Sequence, residues 1–134
     1  MTEENRGKNI QEEIERADEL IKAAQLLGEN DLFNDAVSRL YYFLLHNVRA
    51  LLLTKGLEPK SHEGVLRLFS LHFIKTNIFE PNFLHIFSKM MKYREEADYN
   101  PSYTFTGDDF KDFYRDAQGV SDRIRDYLRE RGYF

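Results

Sequence analysis

The sequence has 134 residues, 19 Lys plus Arg against 23 Asp plus Glu, and a formal net charge of −4; this length suits one domain with its own hydrophobic core. It has no cysteine, which excludes disulfide bonds and metal sites built from thiolates. The mild acidity argues against broad electrostatic binding of duplex nucleic acid, but it leaves room for a local basic site.

Two features bear on where the protein works. No run of about 18 apolar residues occurs in the sequence, and residues 1–9 are rich in charge. These features predict that the chain has neither a membrane span nor a signal peptide, and they favour a cytoplasmic protein.

The first predicted helix covers residues 9–27. Apolar residues recur there at helical spacing, and acidic and basic residues occupy the opposite face. Residues 1–7 before it are polar, and we expect them to be frayed. Gly28 has the position of a C-cap glycine, and Asn30 or Asp31 can cap the next helix.

The central helix is predicted over residues 31–55, because its apolar stripe is wide enough to contact neighbours on more than one side. A polar line crosses the same helix at spacings of three, four or seven, formed by Asp35, Arg39, Tyr42, His46 and Arg49. One interpretation is an internal network of hydrogen bonds and ion pairs. The other is a binding or dimer face with a basic rim.

The second half of the chain predicts three more helices. Ser61 is the N-cap of a short helix that ends near residue 77, and Pro81 fits the first turn of the next one. An irregular stretch follows at residues 98–105.

The last helix is predicted to open with a capping-box variant formed by Thr106 and Asp109, and to end near residue 131. Short loops between amphipathic helices predict an all-α fold. We expect a single domain over residues 1–134, an antiparallel up-and-down four-helix bundle with an additional shorter helix.

Arg94 stands out because it falls on the apolar seam of the fourth helix. Burying a guanidinium on an apolar face costs free energy unless an anionic group pairs with it. Asp98, four residues on, is the local candidate for an ion pair. The alternative is contact with a phosphate or another anion, since the planar guanidinium binds such oxygens two at a time.

Aromatic residues cluster in the irregular stretch. Tyr93, Tyr99, Tyr103 and Phe105 surround Pro101. Clustered aromatics on a loop mark an interface more often than an active site, and base stacking is the weaker alternative for an acidic chain. We therefore expect Tyr99, Tyr103 and Phe105 at a subunit contact.

Ordinary enzyme signatures are missing from the sequence. The four histidines form no Glu-x-x-His pair and no zinc-protease motif, and no glycine-rich phosphate loop or nucleophile elbow occurs. We therefore expect neither a metal site nor a cofactor.

Three motifs together resemble the HEPN domain, in its UPF0332 branch. They are SRLYYF at 38–43 with His46 and RALL at 49–52, KGLEPKSHEGV at 55–65, and REEADY at 94–99. They occur in the same order as in that branch, and the resemblance runs from about residue 30 to residue 124.

The resemblance implies a bundle of four to five helices, commonly a homodimer. Many HEPN domains are metal-independent ribonucleases, often toxins that are paired with a minimal nucleotidyltransferase antitoxin. Their active sites pair an Arg with a His four to six residues later, across the dimer interface. Arg94 matches the arginine, but the histidine position falls at Asp98 or Tyr99, and an aspartate is a poor proton donor near neutral pH. His46 is the substitute if the fold brings it near Arg94.

These observations lead to three functional hypotheses, and catalysis stays open among them. The first is a non-catalytic or weakly catalytic HEPN module that binds a nucleotide or RNA phosphate and acts with a nucleotidyltransferase partner in a toxin–antitoxin-type system. The second is a metal-independent ribonuclease toxin that uses Arg94, His46 and Tyr99. The third is a dimerisation scaffold without a ligand. The candidate ligand-binding residues are Arg94, Asp98, Tyr99, Arg39, Tyr42 and His46.

Overall fold

The protein is a bundle of helices in the computed structural model, which describes residues 2–134. These residues form α1 (Glu3–Glu29), α2 (Phe33–Leu53), α3 (His62–Phe69), a π-helical turn (Ser70–Ile74), α4 (Pro81–Tyr99) and α5 (Gly107–Glu130). Four of the α-helices are long and α3 is short, and this part of the chain has no strand. The predicted all-α bundle with one shorter helix is confirmed.

Helix α2 is the centre of the bundle and contacts α1, α3, α4 and α5. Its apolar stripe is buried along its whole length, and the largest fully buried side chains on it are Leu40, Tyr41, Phe43, Leu44, Leu51 and Leu52. Burying a side chain of this size stabilises the fold by about 1.5–3 kcal/mol. The helix that the sequence marks as most apolar therefore organises the core.

Helix α1 begins at Glu3, six residues before the predicted start. The Thr2 side chain accepts a hydrogen bond from the Asn5 N–H, at 3.1 Å, and Glu3 and Glu4 lie in the first turn. A side-chain cap and acidic residues both stabilise a helix N-terminus. Residues 3–7, which were expected to be frayed, are therefore helical. Residue 1, from the same segment, lies outside the described residues.

Gly28 is not the C-cap glycine that the sequence suggested, because α1 continues to Glu29. A Cβ atom at this position would lie 2.5 Å from Cε2 of Phe110 on α5. The glycine lets the aromatic ring pack directly on the α1 backbone. The turn into α2 is made instead by Asp31, whose φ of 60° is left-handed.

Side-chain caps begin α3 and α5. The Gly64 N–H donates to Ser61 Oγ at 2.9 Å, which fixes the start of α3. Thr106 and Asp109 form the predicted capping box, with distances of 3.1 and 2.9 Å between backbone N and side-chain O. The sequence did not predict the π-helical turn, which buries Phe73 and Ile74 against the core.

A buried polar network joins three helices. Ser121 Oγ donates to Asn47 Oδ1 at 3.0 Å and accepts from Arg125 Nε at 3.1 Å. Arg125 Nη2 is 2.7 Å from an oxygen of Asp18. The network satisfies the buried polar groups of α2 and α5 and ties them to α1.

Candidate functional site

Arg94 lies on the buried face of α4, next to Met90 and Met91 in the core, and is only 8% exposed. Within residues 2–134 it forms no ion pair. Asp98, the local candidate for a partner, is exposed. The interpretation of Arg94 as one half of a salt bridge to Asp98 is therefore wrong, since the helix points the two side chains to different environments.

Two aromatic rings and an imidazole surround the Arg94 guanidinium. Its Cζ atom lies 5.1 Å from the ring centroid of Tyr41 and 5.9 Å from that of Tyr42. Its Nη2 atom is 3.4 Å from Nδ1 of His62, whereas its buried Nε has no hydrogen-bond partner in the described part of the chain. We call Arg94, His62, Tyr41 and Tyr42 the Arg94 cluster.

His62 enters the cluster from the first residue of α3, directly after the Ser61 cap. Its Nδ1 lies 3.0 Å from the Tyr41 hydroxyl oxygen. Because both the hydroxyl and the guanidinium can donate to Nδ1, we assign the imidazole proton to Nε2. This neutral tautomer leaves an N–H on the other side of the ring.

The surroundings of His62 favour its neutral form. Burial is the largest cause that lowers the pKa of His62, followed by the positive charges of Arg94 and Arg49. The nearby carboxylates of Glu63 and Glu95 act in the opposite direction. The cluster is therefore a place where positive charge is already in excess and a further cation is disfavoured.

Tyr41 is the fully buried side chain of the cluster. Burial raises the pKa of its hydroxyl far above the usual range, more than the Arg94 charge lowers it. The hydroxyl therefore keeps its proton near neutral pH and donates it to Nδ1 of His62.

The polar line on α2 does not act as one unit. His46 Nδ1 is 2.6 Å from Glu13 on α1, so its partner is a carboxylate and not Arg94. Arg39, Tyr42 and His46 line a small cleft of about 190 Å³ together with Arg16. Only Tyr42 belongs both to this cleft and to the Arg94 cluster, so His46 is not the histidine that the fold brings to Arg94.

The aromatic stretch after α4 is pinned to the start of α2 by Asn34. Its side-chain amide donates to the Tyr103 carbonyl at 2.7 Å and accepts from the Phe105 N–H at 3.0 Å. Tyr99 is 75% exposed and Tyr103 is 37% exposed, whereas Phe105 is buried against Phe113 of its own chain. Tyr99 and Tyr103 are therefore the members of the predicted interface that can reach a second molecule, and Phe105 belongs to the core.

Sequence reasoning missed the role of His62. The family pattern puts the histidine after Arg94 on the same helix, and His46 was the expected substitute. The ring that lies beside Arg94 instead comes from α3, 32 residues earlier in the chain. A signal was present, since His62 stands in the second of the three motifs that carried the resemblance.

A groove larger than the cleft beside Tyr42 lies elsewhere in the described residues. It has a volume of about 550 Å³ between the end of α1 and the start of α5, and it includes Phe33, Phe110 and Tyr114. Its lining is mostly apolar, and no unpaired buried charge points into it. We therefore place the candidate site at the Arg94 cluster, on the chemistry of its side chains.

Residues 2–134 contain neither a cluster of metal ligands nor a helix that could span a membrane. No group of three or more His, Asp or Glu side chains is arranged to hold a metal ion there. No helix in that range combines the length and the apolar character needed to cross a bilayer.

Comparison with known proteins gives one family. The family model described as HEPN domain matches residues 10–127. A protein of Methanocaldococcus jannaschii named "Putative toxin" is 39% identical over 128 residues, covering 92% of this chain and 95% of that protein. A UPF0332 protein of Thermotoga maritima is 36% identical over 115 residues, covering 86% and 87%. A UPF0332 protein of Pyrococcus horikoshii is 41% identical over 76 residues, or 54% of each chain.

Proposed function

Because this chain belongs to the HEPN family, in its UPF0332 branch, we propose that it is a phosphate-binding module whose Arg94 cluster takes a phosphate of RNA or of a nucleotide. The observation that carries the proposal is the nearly buried guanidinium of Arg94, which has no carboxylate partner in residues 2–134. A charge held in this way is unfavourable for the fold alone and favourable for an anionic ligand.

The hydrogen-bond donors of the cluster exceed its acceptors. A guanidinium carries five N–H bonds. In the described residues, the N–H groups of Arg94 make one hydrogen bond, to Nδ1 of His62. The Nε2 proton of neutral His62 adds another donor. Phosphate oxygens supply the missing acceptors, and a guanidinium can bind two of them at once.

A binding experiment with a matched arginine control tests the proposal. Isothermal titration with inorganic phosphate, ADP and a short single-stranded RNA should detect binding for at least one ligand in the wild type, and Arg94→Met should abolish it. Arg115→Met is the control, because Arg115 is 74% exposed on α5 and its removal changes the net charge equally. Equal binding by wild type and Arg94→Met would refute a phosphate site at this cluster.

A metal-independent ribonuclease is the second candidate, and the 3.4 Å contact between Arg94 and His62 favours it. In that reaction the ribose 2′-hydroxyl attacks the adjacent phosphorus and the bond to the 5′ oxygen breaks. Neutral His62, with its proton moved to Nδ1, takes the 2′ proton on Nε2 and then returns it from the imidazolium to the leaving 5′ oxygen, while the Arg94 guanidinium stabilises charge on the phosphate. His62 would fill the role that the sequence had suggested for His46. RNA cleavage in the presence of EDTA, lost in both Arg94→Met and His62→Gln, would establish this activity. Binding without cleavage would leave the non-catalytic module.

We further propose that the module acts as a homodimer with a minimal nucleotidyltransferase, in a toxin–antitoxin-type system. The support is the name "Putative toxin" that the Methanocaldococcus jannaschii relative carries, and the exposed aromatic side chains of Tyr99 and Tyr103. Co-expression with a nucleotidyltransferase encoded by an adjacent gene should yield a complex that survives gel filtration. Failure to co-purify, together with no ligand-induced stabilisation by RNA or nucleotides, would leave the scaffold hypothesis.

A further inference from the structure

Arg49 holds the loop that carries His62 into the Arg94 cluster. It lies half-buried on α2, and its Nη1 donates to the carbonyl oxygen of Pro59 at 2.8 Å. Its Nη2 donates to the next carbonyl, that of Lys60, at 3.4 Å. One planar guanidinium thus binds two consecutive backbone carbonyls, a geometry that a lysine ammonium does not reproduce.

The two carbonyls immediately precede the point where α3 begins. Ser61 caps the helix through the Gly64 N–H, and His62 is its first residue. The short helix has little else to fix its start, since only Val65 and Phe69 of its eight residues are buried. Small movements of residues 59–61 would therefore displace the imidazole from Arg94 and Tyr41.

We propose that Arg49 is a positioning residue of the anion site, which fixes the α2–α3 loop so that His62 faces Arg94 and Tyr41. The inference rests on the proposed function for its effect on ligand binding, but the placement of His62 is a property of the free protein. Arg49 therefore acts through His62 and does not itself contact the ligand.

Because charged groups surround His62, two variants of Arg49 can separate the effect of the loop's position from the effect of the Arg49 charge. Arg94 of α4 and Arg49 of α2 both lower the pKa of His62, and Glu63 of α3 and Glu95 of α4 raise it, while Tyr41 of α2 donates a hydrogen bond to the ring. Arg49→Lys keeps the positive charge and loses the two-carbonyl fork. Arg49→Ala loses both.

The first experiment uses the ligand-free protein. The His62 ring signals are assigned in ¹⁵N NMR spectra by comparison with His62→Gln, and amide hydrogen exchange is followed over residues 61–64. We expect both Arg49→Lys and Arg49→Ala to shift the ring nitrogens and to speed exchange, whereas Arg115→Met leaves both unchanged. Unchanged ring signals and exchange in Arg49→Lys would overturn the positioning role and leave only an electrostatic one.

The second experiment is a double-mutant cycle on the affinity for a short single-stranded RNA. Arg49→Lys should weaken binding about tenfold when His62 is present, and by less than about twofold in the His62→Gln background. Additive losses would mean that Arg49 acts independently of His62, which refutes the inference. If wild type binds no ligand, the proposed function fails, and the NMR result alone decides whether Arg49 positions His62.

Discussion

Replacing Arg94 by Met separates the stability of the bundle from the proposed function of the cluster. Met has nearly the length of the arginine stem, and its flexible thioether can fill the same space beneath the rings of Tyr41 and Tyr42. The substitution removes the charge and all guanidinium donors. We expect a protein that is as stable as wild type or more stable, and that no longer binds phosphate.

The expected change in the free energy of unfolding follows from the contacts of the Arg94 guanidinium. Loss of its placement over the two tyrosine rings costs about 1–2 kcal/mol. Removal of the buried Nε, which has no hydrogen-bond partner, stabilises the fold by about 1–3 kcal/mol. Removal of a buried charge that has no carboxylate partner stabilises it by a further several kcal/mol at most. The free energy of unfolding should therefore be unchanged or rise by about 1–2 kcal/mol, and each kcal/mol raises the Tm by roughly 4 °C for a domain of this size.

Urea and thermal unfolding at one fixed protein concentration, without ligand, measure this change. Arg115→Met is the control and should stay within about 0.5 kcal/mol of wild type, because its side chain is exposed. A loss of more than about 2 kcal/mol in Arg94→Met would refute the reasoning. Arg94 would then be a structural residue whose interactions in the fold outweigh its burial.

Three further predictions address pH, packing and assembly. Burial and the charge of Arg94 lower the pKa of His62 in the folded protein, so the unfolded state binds the proton first as the pH falls. The stability contributed by His62 is therefore fully present above about pH 6.5 and is lost as the pH drops through the folded-state pKa. His62→Gln should flatten this part of the stability profile in urea titrations, and an NMR titration midpoint of His62 above about 6.5 in the free protein would contradict the prediction. Gly28→Ala should destabilise by about 1–3 kcal/mol because its Cβ would meet the Phe110 ring at 2.5 Å, whereas Gly119→Ala, with nothing within 4 Å on α5, should stabilise by about 0.5–1 kcal/mol; equal thermal shifts for the two would be inconsistent with the packing. Tyr99→Ser should weaken self-association in sedimentation velocity, and a wild-type monomer at micromolar concentration would remove the predicted dimer.

The sequence by itself determined the helices and their order. The periodicity of α2 identified the central helix, and the capping box of Thr106 and Asp109 marked the start of α5 within a residue. Such local signals work because hydrophobic periodicity and caps are properties of residues close in sequence. Arg94 could be singled out on the same basis, as a cation on an apolar seam.

Only the tertiary structure decided which side chains meet at Arg94. From the sequence, His46 was the candidate partner and His62 was not considered. The structure places His46 against Glu13 of α1 and His62, at the start of α3, against Arg94. Likewise, Gly28 was expected to end a helix and instead receives an aromatic ring from α5. Contacts between residues far apart in sequence depend on how the helices pack, and no local pattern encodes that geometry.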